Sequence, residues 1–331
     1  MKRINWLVEV TVVASAVAAS PSALAAAAQS EPSYPTRPIR MVVSAAPGGG
    51  ADVMARMFAP KLNEAWGQPI VVDNRAGAAG NLATDLVAKA PPDGYTLLVR
   101  FSSLTTTPPF YPNLPYDPVR DFAPISLLAS STNVLVVPPS LGIKTVQELI
   151  RVAKANPGKL NFASVGAGTL PHLIGELFKL RAGVNMTHIP YKSVAPSLMA
   201  QLGGEVQVNF PALVSSATQI RAGRLWALAV TSLQRTPTLL DVPTLDESGL
   251  PGFEAIAWYG LLAPAGTPRY IVNKVQREVA RVVAMPEFRG ALIAQGSDPI
   301  GSTPEEFAKR IRTELAQWSD LVKQAGLKLA E

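Results

Sequence analysis

Two rhythms of apolar residues alternate along the chain. Short apolar runs bounded by glycine, proline or asparagine mark buried strands. Stretches whose apolar positions recur every three or four residues mark amphipathic helices. From residue 35 onward the order is strand 39–43, helix 51–65, strand 69–74, helix 81–89 and strand 95–101, with Pro91, Pro92, Asp93 and Gly94 stopping the second helix. This succession predicts a mainly parallel sheet with helices on both faces. A proline-rich passage, PPFYPNLPYDPVRDFAPI, follows as an irregular excursion over the surface. The apolar run 126–137 is long for one strand and reads as a strand passing from one domain to another.

A second α/β block starts near Thr145. Thr145 and Glu148 have the spacing of a capping box for a helix over 146–155, which Asn156, Pro157 and Gly158 end. Strands are expected at 160–164, 187–190, 206–210 and 225–231, with helices between them, one at 171–180. After a second loop-rich passage, 255–263 is another long apolar strand, suited to the return crossing. Thr267 and Pro268 then read as an N-cap and a proline at the first helical position, with Ile271, Val275, Val279 and Val282 on one face of the helix. The last helix has Thr303 and Glu306 as a capping box, and its stripe of Phe307, Ile311, Leu315, Trp318 and Val322 is expected to be core. The architecture expected is two α/β domains crossed twice by the chain, domain 1 from 34–130 plus 256–331 and domain 2 from 131–255. Such a pair can close on a ligand by hinge motion.

Composition changes this picture in a few places. At 331 residues the chain has length for two ordinary domains, and its 16% charged and 7% aromatic content is not that of a disordered segment. The net charge is +6, but lysine and arginine are scattered singly, so no nucleic-acid partner is expected. Lys2 and Arg3 precede an apolar stretch from about residue 10 to 19, with Glu9 at its edge. Ala23-Leu24-Ala25 and Ala26-Ala27-Ala28 both fit a small-x-small cleavage pattern. A cleaved signal peptide over 1–28 is therefore expected, its apolar run being too short to span a bilayer. Its removal takes away two positive charges and one negative, so +6 becomes +5. The expected product is an exported, soluble, monomeric periplasmic protein. The absence of cysteine excludes a lipid-anchored cysteine, disulfides, thiolate catalysis and cysteine metal sites.

The candidate chemistry begins with glycines. SAAPGGGADV has no lysine where a phosphate-binding Walker loop needs one. Gly48 and Gly50 start a dinucleotide fingerprint that Val53 breaks, and Gly166 and Gly168 start another that Pro171 breaks. The nearest approach to a serine-hydrolase elbow is Phe162-Ala163-Ser164-Val165-Gly166, which lacks the first glycine. A hydrolase built on it would use Ser164 with His172. Two histidines without a carboxylate cluster suggest no metal, and no cofactor is expected. What remains is anion binding by neutral donors, since a glycine turn that starts a helix directs N–H groups and a partial positive charge at a ligand. Two turns have this character, Pro47–Gly50 and Ser164–Thr169, one in each expected domain. Asp52 reads as a first-turn acid steadying its helix or as a holder of ordered water or a ligand amine. Thr169 reads as an N-cap or as a hydroxyl given to the ligand, and His172 as simple packing or as part of the site. Ser102 and Ser103 end a parallel strand, where α/β folds place ligands, or belong to an ordinary polar loop.

These stretches together resemble one family, the exported substrate-binding proteins of tripartite tricarboxylate transporters, also called Bug proteins. The resemblance runs from about residue 34 to 327. It rests on APGGGAD (46–52), DNRAGAAGN (73–81), PPDGYTLL (91–98), LPYDPVRDFAPI (114–125), NFASVGAGTLPHLIGELFK (161–179), IPYKSVAPSL (189–198), IRAGRLWALAVTS (220–232), DVPTLDESGLPGFE (241–254) and WYGLLAPAGTP (258–268). It implies a two-domain periplasmic-binding-protein fold of the Venus flytrap kind. It also implies a small carboxylate ligand held by backbone amides, hydroxyls and waters at both glycine turns, and delivery to transporter membrane subunits. A sensor role, with a receptor's periplasmic domain as partner, shares the same cleft. The ligand-binding residues expected are Ala46, Gly48, Gly49, Gly50, Asp52, Ser102, Ser103, Ser164, Gly166, Ala167, Gly168, Thr169, His172, Asn209 and Tyr259. The chain departs from the family pattern at Ser44-Ala45 (commonly proline-phenylalanine), Ala51 (often threonine) and Ser193 (usually glycine). It departs again at Asn209 and Pro211, where many members have methionine and aspartate, so that aspartate's role does not carry over.

Overall fold

The computed structural model describes residues 33–327 except Pro112 and Lys192. The expected signal peptide at 1–28 lies outside the described residues, as do residues 328–331. The first stretch of chain forms β1 (Ile39–Val43), α1 (Gly50–Trp66), β2 (Ile70–Asn74), α2 (Asn81–Ala88), β3 (Thr96–Phe101), the short α3 (Ser103–Thr106) and β4 (Phe122–Thr132). The middle forms β5 (Val134–Val137), α4 (Val146–Ala155), β6 (Asn161–Ser164), α5 (Leu170–Ala182), β7 (Thr187–Pro190), α6 (Val194–Leu202), β8 (Val208–Asn209), α7 (Leu213–Arg221) and β9 (Trp226–Val230). The chain closes with β10 (Ile256–Pro264), α8 (Arg269–Ala284), α9 (Pro286–Ala294), β11 (Asp298–Pro299) and α10 (Pro304–Ala325).

The strands make two sheets, ordered β11-β4-β10-β3-β1-β2 and β7-β6-β8-β5-β9. β1 pairs in parallel with β2 and β3, and β6 in parallel with β7 and β8, as strand–helix–strand units require. The expected mainly parallel character stops at those units. β10 runs antiparallel to β3 and β4, β11 antiparallel to β4, and β5 antiparallel to β8 and β9. Connectivity explains the mixture: a chain that leaves the first sheet along β4 and re-enters it along β10 must run the other way on its return.

The long apolar run 126–137 is not one strand. It breaks at Asn133, with β4 in the first sheet and β5 in the second. Asn133 secures the break through its side-chain Nδ2, which donates to Phe210 O at 2.7 Å, and through its own N–H, which donates to Thr231 Oγ1 at 3.1 Å. Each sheet is covered on both faces. Met41, Val99 and Leu261 face one core with Phe58 and Val275, while their neighbours Val42, Leu98 and Leu262 face another with Trp258 and Phe307. That is the two-residue alternation of a strand. The second sheet buries Phe162, Leu173, Phe178 and Phe210 on one side and Val134, Val136, Leu198 and Val230 on the other. Each such side chain, fully buried, contributes roughly 1.5–3 kcal/mol.

Two helix caps depart from expectation. Glu148 N–H donates to Thr145 Oγ1 at 3.1 Å, but the Glu148 carboxylate accepts from Lys144 N–H at 2.7 Å, so the reciprocal half of the capping box is displaced by one residue. The box at Thr303 and Glu306 is complete. α8 starts at Arg269 with Pro268 as its N-cap, one residue later than the sequence suggests. α9 and β11 were not expected; Pro286 at the first helical position opens α9 after an extended Met285.

Candidate functional site

The ends of β3 and α3 meet the start of α5 around a cavity of about 340 Å³. Phe101, Ser102, Ser103, Thr106, Thr107, Phe110 and Tyr111 line it from one side of the chain. Val165, Ala167, Gly168, Thr169, Leu170, Pro171, Val194 and Ala212 line it from the other, and Asn133 and Ala257, on the two crossings, complete the wall. A smaller compartment of about 230 Å³ shares Phe101, Ser102 and Ala257 with it and is otherwise bounded by Ala45, Gly50, Ala51, Trp258 and Tyr259. Among the described residues, no charged side chain lines either space.

The second glycine turn is held from beneath. Ser164 closes β6 and is buried, and its Oγ accepts the Gly166 N–H at 3.0 Å and meets His188 Nε2 at 2.6 Å. Gly168, at φ +75°, takes a conformation that side chains rarely adopt, and its N–H donates to His172 Nδ1 at 3.1 Å. Thr169 occupies the N-cap position of α5, yet its hydroxyl does not cap the helix: it donates to Gly166 O at 2.6 Å. The His172 and His188 rings stack at 4.1 Å, with Phe162 stacked on both. Burial, reinforced by His188 and Lys179, pushes His172 down to about 3, and burial with Lys179 pushes His188 down to about 4. Both imidazoles are therefore neutral near pH 7, which lets His172 Nδ1 serve as an acceptor. Lys179 itself pairs with Glu176 at 2.9 Å.

The first glycine turn is arranged differently. Asp52 is buried in the first turn of α1, where it accepts from Gly48 N–H at 2.8 Å, Asn74 Nδ2 at 2.9 Å and Arg56 Nε at 2.9 Å. Burial opposes its ionisation, but these hydrogen bonds and the Arg56 charge prevail and hold its carboxyl below the usual carboxylate range. Gly49 N–H donates to Ala46 O at 3.0 Å. Gly50 packs so closely on Tyr259 that an added Cβ would stand 2.2 Å from the phenolic oxygen. Burial raises the Tyr259 pKa, so that hydroxyl stays protonated.

The structure brings Ser102, Ser103, Ala167, Gly168 and Thr169 to the larger cavity, and Gly50, Ser102 and Tyr259 to the smaller. Ser164, Gly166 and His172 line neither space; Ser164 and His172 brace the second turn through the Gly166 and Gly168 N–H groups. Ala46, Gly48, Gly49 and Asp52 border neither space. Asn209 is buried in β8, where its Oδ1 accepts from Phe210 N–H and its Nδ2 donates to Ser197 Oγ. The Ser164–His172 pair that a hydrolase would need is not formed; the partner of Ser164 is His188. The sequence offers His188 only as a possible histidine base, beside His172, and not as a site residue, although β6 and β7 pair with Phe162 opposite His188. Sequence reasoning missed the aromatic wall of Phe101, Phe110 and Tyr111, which carries no motif.

A family model described as the tripartite tricarboxylate transporter family receptor matches residues 54–327. Protein BugT of Bordetella pertussis is 39% identical over 306 residues, covering 92% of this chain and 94% of that one. R. palustris Rpa4515, solved with adipate, is 36% identical with a TM-score of 0.75, covering 90% of this chain and all of that one. MatC (Rpa3494) from Rhodopseudomonas palustris, solved with bound malate, is 32% identical with a TM-score of 0.70, covering 87% of this chain and all of that one. The two-sheet α/β fold is that of periplasmic binding proteins.

Proposed function

The chain belongs to the tripartite tricarboxylate transporter receptor family of periplasmic solute-binding proteins, and we propose that it captures a small organic carboxylate in the cavity beside α5 and hands it to transporter membrane subunits. The observation that carries this reading is the half-open cavity, without charged lining among the described residues, at the start of a 13-residue helix, edged by the hydroxyls of Ser102, Ser103 and Thr169. The first turn of a helix leaves N–H groups without intrahelical partners. In α5 these are Leu170 and His172, Pro171 having none, and an anion there gains from both donors and dipole. Relatives about one-third identical over nearly their whole length, solved with adipate and malate, support the same ligand chemistry. In this reading 34–130 with 256–331 and 131–255 act as the closing domains, and binding favours the closed form by its extra affinity for that form.

Thermal unfolding of protein freed of ligand by denaturation and refolding tests it, against mono-, di- and tricarboxylates with nucleotides and uncharged solutes as controls. A carboxylate at ~100 times its Kd should stabilise by about 2.7 kcal/mol, a rise of a few degrees. Thr169→Val and Ser103→Ala should weaken that rise. A response confined to nucleotides or uncharged solutes would sink the carboxylate reading.

A further inference from the structure

The two spaces of the site adjoin, and small residues keep the smaller one open. Phe101, Ser102 and Ala257 line both, so a ligand lying along them passes from one into the other. Beyond that junction the smaller compartment is bounded in part by Ala45, Gly50 and Ala51, whose side chains are at most a methyl group. The backbone that presents Ala45 is held on both sides. Ser44 N–H donates to Val99 O at 3.2 Å, and Ala45 O accepts from Asn74 Nδ2 at 3.0 Å. The side chain at position 45 therefore helps to set the volume left there, about 230 Å³.

Two hydroxyls along this passage are unspent. Ser102 is 5% exposed and Tyr259 is half-buried, and neither hydroxyl has a hydrogen-bond partner among the described residues. Ser102 stands at the junction and Tyr259 lines the smaller compartment. Burial keeps the Tyr259 hydroxyl protonated, so it is able to donate to an oxygen. Cations stand close by. Arg100 is buried with its guanidinium 4.9 Å from the centre of the Phe101 ring, and Arg56 pairs with Asp52 in the first turn of α1. A carboxylate, a carbonyl and a hydroxyl all accept from a phenol, and the two arginines are compatible with a charged group at this end.

We infer that this protein selects its ligand by length, with Ala45 and Tyr259 as the residues that set it. The carboxylate lies at the start of α5 and the body passes Phe101 and Ala257. An oxygen-bearing far end then enters the compartment beside Ala45 and accepts from the Tyr259 hydroxyl. This rests on the carboxylate reading above and narrows it to elongated acids with a polar far end.

Titration calorimetry on the refolded, ligand-free protein separates the two levels of the argument. The probes are unbranched acids from butanoate to nonanoate, with their ω-hydroxy and α,ω-dicarboxylate counterparts. In the parent, affinity should rise by about fourfold per methylene until both spaces are filled, and then fall. Ala45→Leu fills part of the compartment from a half-buried position. It should move the optimum to shorter acids and lower the ratio of long-chain to short-chain affinity by about tenfold or more. Tyr259→Phe should reduce the preference for oxygen-ended acids over monoacids of the same length by about fivefold. Whether the hydroxy acid or the diacid loses more tells which far end the phenol serves. A parent that gains nothing beyond the shortest acids overturns this inference and leaves the proposed function standing. So does an Ala45→Leu protein, folded by its melting curve, whose optimum is unmoved. A Tyr259→Phe protein with an unchanged preference also overturns it, and carries the test where Ala45→Leu does not fold. Binding of nucleotides or uncharged solutes alone overturns the proposed function and this inference with it.

Discussion

At the scale of single residues, Gly50 shows how closely the site is built. Tyr259 sits on β10, which is paired on both sides by β3 and β4 and cannot easily retreat. A Cβ at Gly50 would meet its oxygen at 2.2 Å and the ring carbon bearing that oxygen at 2.9 Å. Gly50→Ala should therefore lower stability by about 1–3 kcal/mol, the usual cost of overpacking. Adding Tyr259→Phe should recover part of the loss, because the hydroxyl is the first atom met. Urea midpoints of the three proteins check this, and an unchanged midpoint for Gly50→Ala would mean that the start of α1 shifts freely. The same residues show what a sequence makes legible in a site. Glycines between a strand and a helix are visible as anion-binding turns, because the residue type itself carries the signal. Where their N–H groups point is not visible. That Gly48 serves Asp52, and Gly168 serves His172, depends on side chains four residues along a helix adopting one rotamer in a packed setting. Phe101, Phe110 and Tyr111 were equally hidden, since an aromatic residue reads the same whether it fills a core or walls a cavity.

At the scale of elements, the layer formed by β6, β7 and α5 stores a pH dependence. In the unfolded chain each imidazole titrates near ~6.5. In the fold, burial holds His172 at about 3 and His188 at about 4. Between pH ~6.5 and ~4 the unfolded chain thus binds protons that the fold does not, so stability rises with pH across this window and falls on acidification. The chain has two histidines, both in this layer, so the loss between pH ~6.5 and ~5 comes chiefly from them, opposed by Glu314 and Asp298, whose carboxyls burial raises. Urea unfolding across that range should show a slope of about 1 kcal/mol per pH unit for each histidine, and His188→Gln should roughly halve it. A slope indifferent to His188→Gln would mean that this imidazole titrates normally in the fold. Elements were the most legible level. β1, α4 and β7 fall where the sequence places them; β1 is buried on both faces and α4 buries one regular stripe of Val146, Leu149 and Ala153. Boundaries set by tertiary partners were not legible. The break at Asn133 is fixed by Phe210 and Thr231, 77 and 98 residues away. The antiparallel sense of β10 follows from its return path, which no local pattern records.

At the scale of the molecule, α10 ties the two sheets together. Phe307 and Ile311 are buried with Trp258 and Leu262 on the first sheet, while Trp318 and Leu321, two to four turns on, are buried with Phe162 and Leu177 on the second. Between them Glu314 is buried under hydrogen bonds from Thr105 Oγ1 at 2.7 Å, Trp258 Nε1 at 2.9 Å and Arg310 Nε at 2.6 Å, and Arg310 reaches on to Glu254 at 2.9 Å. A helix with one end in each core cannot detach from either without exposing large apolar side chains, so the two sheets should unfold as one cooperative unit. Trp318→Ala attacks that coupling with little change to the first core. Removing a buried tryptophan typically costs about 3–5 kcal/mol, and here the loss falls on the second sheet. Calorimetry should show one transition for the parent and, for Trp318→Ala, an earlier transition of the second sheet separating from that of the first. Phe307→Ala should instead lower the first. Two resolved transitions in the parent would mean that α10 is a passive cover that does not couple the stability of the sheets.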